Sequence, residues 1–182
     1  SEDREPVMMP YGMYLDCFKP ILKSLHIGDK EAARKKLHFL FRLFEENRDN
    51  HEAVKTMCID LLSQMMRIAL SARLEWDHGK RERLYSAMMQ CETLDDCFSL
   101  LNALVGELSE AIYKSTRSRH QKIVRQVLDL IENHFMEDIS LTWVSERVHL
   151  NSSYISRLLK NETGETFTDL LTKRRMERAK EL

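Results

Sequence analysis

No proline follows Pro20 in this chain of 182 residues, and the whole sequence holds only three Pro and five Gly. Those two residues are the principal breakers of helices, and no run alternates β-branched with polar residues as a strand would. The sequence therefore predicts an all-α fold. Its length suffices for one compact domain and a smaller module. An apolar fraction of 43% with 31% charged residues is the profile of a soluble globular protein.

Apolar spacing divides the chain into helices. Residues 13–27 read as a first helix with a possible kink at Pro20, ended by Gly28, with Asp29 as the next cap. From Lys30 to Glu46, Ala33, Leu37, Leu40, Phe41 and Phe44 fall on one stripe. Asn47–Asn50 read as a turn. A long helix is expected over 51–76, with Val54, Met57, Cys58, Leu61, Leu62, Met65, Ile68 and Ala69 on one side. Asp77-His78-Gly79 is a break, and a short helix follows over 81–90 with Leu84, Met88 and Met89 inside. The paired methionines 65–66 and 88–89 suit gap filling in a helical core, although methionine can also line an adaptable binding surface.

Thr93 caps the next helix, with Asp95 and Asp96 in its first turn. Its stripe runs from Cys97 through Leu100, Leu101, Leu104, Val105 and Leu108 to Ile112, then stops at the basic stretch KSTRSRHQK (114–122). Apolar spacing resumes at Ile123, Val124, Val127, Leu128, Ile131 and Phe135. A boundary between domains 1–115 and 116–182 is placed there. The stretch is either a loop or a solvated part of one continuous helix.

Charge follows the same division. Residues 1–113 carry 15 Lys/Arg against 19 Asp/Glu, a net of −4, while residues 114–182 carry 13 against 10, a net of +3. A basic excess in the C-terminal third suits a phosphate-facing surface, or simply a solvated face. Cys17, Cys58, Cys91 and Cys97 form no CxxC pair and read as reduced thiols. His78, Cys91 and Cys97 match no zinc spacing, so no metal and no cofactor is expected. No G-x-S-x-G, phosphate-cradling glycine loop, H-E-x-x-H or unexplained carboxylate pair is present, which argues against an enzyme and names no catalytic residue. No apolar run is long enough to span a membrane and no signal peptide is visible, so no membrane contact and a cytoplasmic location are expected. The opening SEDREPVMMPYG and the closing Lys180-Glu181-Leu182 read as cut ends, so the sequence is expected to be a fragment.

Residues 141–160, LTWVSERVHLNSSYISRLLK, depart from simple periodicity. A helix-turn-helix needs a small residue where its second helix crosses the first, a tight turn four residues on, and an apolar anchor six residues beyond. Ser145, His149 and Ile155 stand at those places. Leu141, Val144, Val148, Leu150 and Leu158 supply the surrounding core. Ser140 caps the first helix and Asn151 or Ser152 the second. On the second helix Ser153, Ser156, Arg157 and Lys160 share one face, opposite Ile155, Leu158 and Leu159. Such a polar face suits the major groove of double-stranded DNA: Arg157 is long enough to hold guanine bidentately, the serines reach bases or phosphates, and Lys160 suits a phosphate.

The stretch DISLTWVSERVHLNSSYISRLLKNETGETFTDLLTKRRMERAKEL resembles the first half of the AraC/XylS-type DNA-binding domain, over about residues 122–182. SYISRLLKNETGETF is similar to that family's signature S-x-x-[YH]-[LI]-S-R-x-F-K-x-x-T-G-x-[ST]-F, and DLLTKRRMERAKEL to its linker helix. Ser145 stands where the family usually has Ala, and Leu159 where it usually has Phe. The resemblance implies that Ser152, Ser153, Ser156 and Arg157 face the bases. It also implies that Gly164 ends the recognition helix, that Thr166 caps the linker helix, and that Lys173, Arg174, Arg175 and Arg178 are solvated or phosphate-facing. Family members join two helix-turn-helix units by the linker; this chain stops at the linker, and one unit alone is expected to bind weakly.

The run ILKSLHIGDKEAARKKLHFLFRLFEEN is similar to the region preceding the DNA-binding half of YesN-type response regulators, and to a segment of membrane-anchored sensors ending in the same unit. Residues 1–115 are then a relay module that forms a homodimer, with a sensor kinase as partner if a receiver domain lies upstream. A competing reading makes them a small-ligand sensor with Tyr14, Phe41, Trp76 and the methionines lining a pocket.

Overall fold

The computed structural model describes residues 11–46, 51–77 and 79–180, and among these every regular element is an α-helix. The expected turn at 47–50, His78 in the expected break, the opening ten residues and the last two lie outside the described residues. The helices are α1 (Tyr11–His26), α2 (Lys30–Glu46), α3 (His51–Ser71), α4 (Lys80–Gln90), α5 (Leu94–His134), α6 (Leu141–Val148), α7 (Ser152–Thr163) and α8 (Phe167–Lys180). The chain divides into two compact units, Ser1–Ser115 and Thr116–Leu182, and the boundary falls inside the range of α5. The basic stretch 114–122 is thus helical, which settles the open choice between loop and helix.

The first unit is a helical bundle with a continuous apolar core. Tyr14, Phe18, Ile21 and Leu25 of α1 are buried at helical spacing, as are Ala33, Leu37, Leu40, Phe41 and Phe44 of α2. Tyr14 and Phe41 each pack close to Phe44, with ring centroids 5.3 and 5.2 Å away. Both rings are buried members of this core. All eight expected positions of α3 are buried, and Met66 joins them.

Helix ends follow the chain's own hydrogen-bonding needs. After α1, Gly28 adopts φ +73, and the amides of Gly28 and Asp29 return to the carbonyls of Leu25 and Ser24. This is a Schellman closure, which needs a left-handed residue and so favours glycine. Asp29 then caps α2, its Oδ1 accepting from the Ala32 amide at 3.0 Å. Thr93 and Asp96 form a reciprocal capping box on α5, Thr93 Oγ1 accepting from the Asp96 amide and Asp96 Oδ2 from the Thr93 amide.

Three expectations need correction. The helix expected over 51–76 stops at Ser71, because Arg73 takes a left-handed φ of 52° and closes the same Schellman pattern, Arg73 to Leu70 and Leu74 to Ala69. Leu74 and Trp76 leave the helix and rest, partly buried, on the core. Met89 is 62% exposed, because α4 turns Tyr85 and Met88 inward, and Tyr85 donates to Ser63 Oγ at 2.9 Å. Leu128 is 38% exposed, because Ile123, Val127 and Ile131 already define the inner face of α5 in the second unit.

A Cβ built at Gly28 would lie 3.1 Å from the Tyr113 amide nitrogen and 3.2 Å from the Ser109 carbonyl oxygen. Left-handed strain alone costs an alanine about 1–2 kcal/mol, and the close backbone adds to it. Gly28→Ala is expected to lower the urea midpoint of unfolding by at least that equivalent; an unchanged midpoint would contradict the tight approach.

Candidate nucleic-acid interface

The second unit is built around one sharp corner. Ser140 caps α6, its Oγ accepting from the Trp143 amide at 3.1 Å. At the far end of α6, His149 takes φ 55 and ψ 41, and the Leu150 amide returns to the Ser145 carbonyl at 3.1 Å. Asn151 caps α7, with Oδ1 accepting from the amides of Ser153 (2.8 Å) and Tyr154 (3.3 Å). Of the two open candidates for this cap, the asparagine fills it.

Ser145 is buried beneath this corner, at 8% exposure. A buried hydroxyl needs partners, and Ser145 has two. Its Oγ donates to the Thr142 carbonyl at 2.7 Å and accepts from Ser152 Oγ at 2.9 Å. The departure from alanine at this position is thereby satisfied without enlarging the side chain much. The hydroxyl pair gave no sequence signal.

α7 is two-faced. Ile155, Leu158 and Leu159 are buried in a core that also takes Val127, Ile131, Val144, Phe167 and Leu171. Ser153, Arg157 and Lys160 are exposed, and Ser152 and Ser156 are half-buried. Arg157 lies along the helix, its Nε donating to the Ser153 carbonyl at 3.4 Å, and Lys160 Nζ donates to the Gly164 carbonyl at 2.8 Å. Gly164 ends α7 at φ +77, and Thr166 forms a capping box with Asp169 at the start of α8. The five sequence-predicted residues therefore lie on one helix, and Ser152 differs from the rest in spending its hydroxyl proton on the corner.

Helix α5 meets α7 at His120 and α6 at His134. The His120 ring meets Tyr154 edge-on at 6.4 Å, and its Nδ1 lies 3.8 Å from Glu162 Oε1. Trp143 has two such neighbours: His134 meets it at 5.0 Å in a T-shaped contact, and the Arg147 guanidinium carbon sits 3.4 Å from its centroid. Two of the basic residues expected to be solvated or phosphate-facing also bind the chain itself, Arg174 half-buried and Arg175 still exposed. Arg174 forms a bidentate pair with Glu132 at 2.6 and 2.8 Å, and Arg175 donates to the carbonyls of Phe135 and Glu137. The carbonyls just past the end of α5 need donors, and α8 supplies them. Lys173 Nζ lies 3.6 Å from Glu165.

Among the described residues no group of three or more His, Cys, Asp or Glu is arranged to hold a metal ion. Cys58, Cys91 and Cys97 meet in the core of the first unit, and hydrogen bonding, led by Cys58, holds the Cys97 thiol below its ordinary range against the opposing effect of burial. A groove of about 690 Å³ between α1 and α2 is lined by Met13, Cys17, Pro20 and Phe39 with Lys35 and Arg42. In the second unit a groove of about 440 Å³ is lined by Gln126, Asn133, Arg147 and His149.

One curated protein is similar over most of the chain: the uncharacterised HTH-type transcriptional regulator YtdP of Bacillus subtilis (strain 168), 21% identical over 164 residues, or 88% of this chain. The match covers 21% of YtdP, so the chain spans about a fifth of the length of that relative. No family model matches the chain. No solved structure matches it.

The hydrogen bond from Arg174 holds the Glu132 carboxyl below its ordinary range. A depressed carboxylate contributes stability above its unfolded pKa, near ~4.3, and loses it as pH falls through the lower folded value. Arg174→Ala is therefore expected to lower the thermal midpoint of the second unit at neutral pH, with the gap to the parent narrowing below about pH 4. A gap that stays constant with pH would contradict this role.

Proposed function

We propose that this chain reads double-stranded DNA as the output part of a bacterial transcription regulator. The observation that carries this is α7 itself: a capped helix, entered through a left-handed corner, with one face locked in a core and Ser153, Arg157 and Lys160 exposed on the other. A major groove about 12 Å wide admits such a helix. Arg157 offers two parallel N–H donors to guanine, Ser153 and Ser156 offer short adaptable contacts, and Lys160 offers a phosphate contact. Ser152 faces the groove's edge and keeps its oxygen lone pairs for a base or a water.

The AraC/XylS resemblance of residues 122–182 makes 116–182 the first of two reading units, joined to the next by α8. Residues 1–115 are then the relay and dimerisation module. The preferred setting is a YesN-like response regulator whose receiver domain answers a sensor kinase, acting on chromosomal DNA in the cytoplasm without catalysis of its own. A second setting is a longer sensor-regulator ending in the same head. YtdP's length favours it, since the matched segment is only 21% of that protein. No described helix is long and apolar enough to cross a membrane.

The test is selection of binding sites from a pool of random-sequence duplexes by the full-length protein and its Arg157→Ala variant. The variant is expected to lose preference for a guanine at one position, by about 1–3 kcal/mol or ten- to hundredfold, while its helical circular dichroism is unchanged. An unaltered site preference would contradict the assignment. Nanomolar sequence-specific binding at physiological salt by the 182-residue chain alone would contradict only the expectation that one unit binds weakly.

A further inference from the structure

Between Glu110 and Asp129 the chain has no acidic residue, yet it carries five Lys or Arg side chains. All of this stretch is helix. Lys114 is paired with Glu110 at 2.7 Å. Arg117, Arg119, Lys122 and Arg125 are exposed, and none has an ion-pair partner among the described residues. Like charges three or four residues apart on one helix repel and destabilise it. These four lie well inside α5, so the dipole at its C-terminus does not compensate them.

Their position is the second observation. His120 is where α5 touches α7, through Tyr154 and Glu162. At 1.5 Å of rise per residue, Arg117, Arg119 and Lys122 lie within about 5 Å of that contact along the helix axis. A helix with its side chains is about 10–12 Å across, so it fills the major groove, and the sugar-phosphate strands run along its flanks. The element packed beside a groove-inserted α7 is therefore the one that meets a phosphate strand.

We propose that Arg117, Arg119, Lys122 and Arg125 form a phosphate-binding ridge that clamps the duplex backbone beside α7. The ridge rests on the assignment of α7 as the reading helix and deepens it. It divides the labour: α7 supplies sequence preference, and α5 supplies sequence-independent affinity. The cations spread around the exposed arc of α5. Arg117 and Arg125 are on one edge and Arg119 and Lys122 on the other, so the ridge acts as a field of charge and not as a set of base contacts.

The experiment measures binding of a short random-sequence DNA duplex by the 182-residue chain at low salt, and the dependence of that affinity on salt. Each phosphate neutralised contributes about 0.9 to the slope of log affinity against log salt. Replacing all four cations with Gln is expected to weaken binding and to reduce the slope by about 2 to 4. The Lys variant of the three arginines is expected to keep the slope. Unchanged slope in the Gln variant, with the parent still bound, overturns the ridge and leaves the reading of α7 standing. Equal loss in the Lys and Gln variants also overturns it, since charge would then not be the cause. No binding by the parent at any salt overturns both. A normal ridge response together with unaltered site preference in Arg157→Ala keeps the ridge and overturns the reading helix.

Discussion

The geometry of the second unit depends on a single turn, the left-handed His149 above the buried Ser145. A non-glycine residue in that conformation costs about 1–2 kcal/mol, and the surroundings offset it. The Leu150 amide returns to the Ser145 carbonyl, Asn151 satisfies two of the free amides at the start of α7, and Ile155 is carried to full burial. Burial of such a side chain contributes about 1.5–3 kcal/mol. A bulky residue at 145 would push α7 away from α6. The small hydroxyl there, shared with Thr142 and Ser152, closes the corner without leaving a buried polar atom unsatisfied.

Fixing α7 in this way also decides which of its side chains are left to act. Burial takes Ile155, Leu158 and Leu159, and the remaining arc is polar. The basic residues of this unit then separate into two kinds. Arg174 and Arg175 are consumed in joining α8 to the end of α5, where unpaired carbonyls and Glu132 receive them. Among the described residues Arg157 bonds along its own helix, through Nε, and its terminal guanidinium nitrogens are left for a partner. A count of positive charge cannot distinguish these roles; hydrogen-bonding demand at helix ends can.

Much of this was legible in the sequence where a local pattern has one physical solution. The stripes of α2 and α3 demand burial, and the scarcity of breakers leaves only helices to bury. The spacing of Ser145, His149 and Ile155 predicted the corner, and Gly28 and Gly164 occupy left-handed ends as glycine should. Other features had no local signature. Arg73 closes α3 in a conformation normally marked by glycine, so the helix was expected to run five residues too far. Arg174 and Glu132 are 42 residues apart in the chain. Which stripe of a short helix faces inward is also settled by its neighbours, as Tyr85 and Met89 show.

The central claim is that the arc of α7 bearing Ser153, Arg157 and Lys160 is the surface that meets DNA. Amide chemical-shift mapping by NMR during titration with a random-sequence duplex tests it most directly. The account predicts that the largest shifts cluster on residues 151–161 and the adjoining turn of α5. Shifts concentrated in residues 11–113, with α7 unmoved, would contradict it.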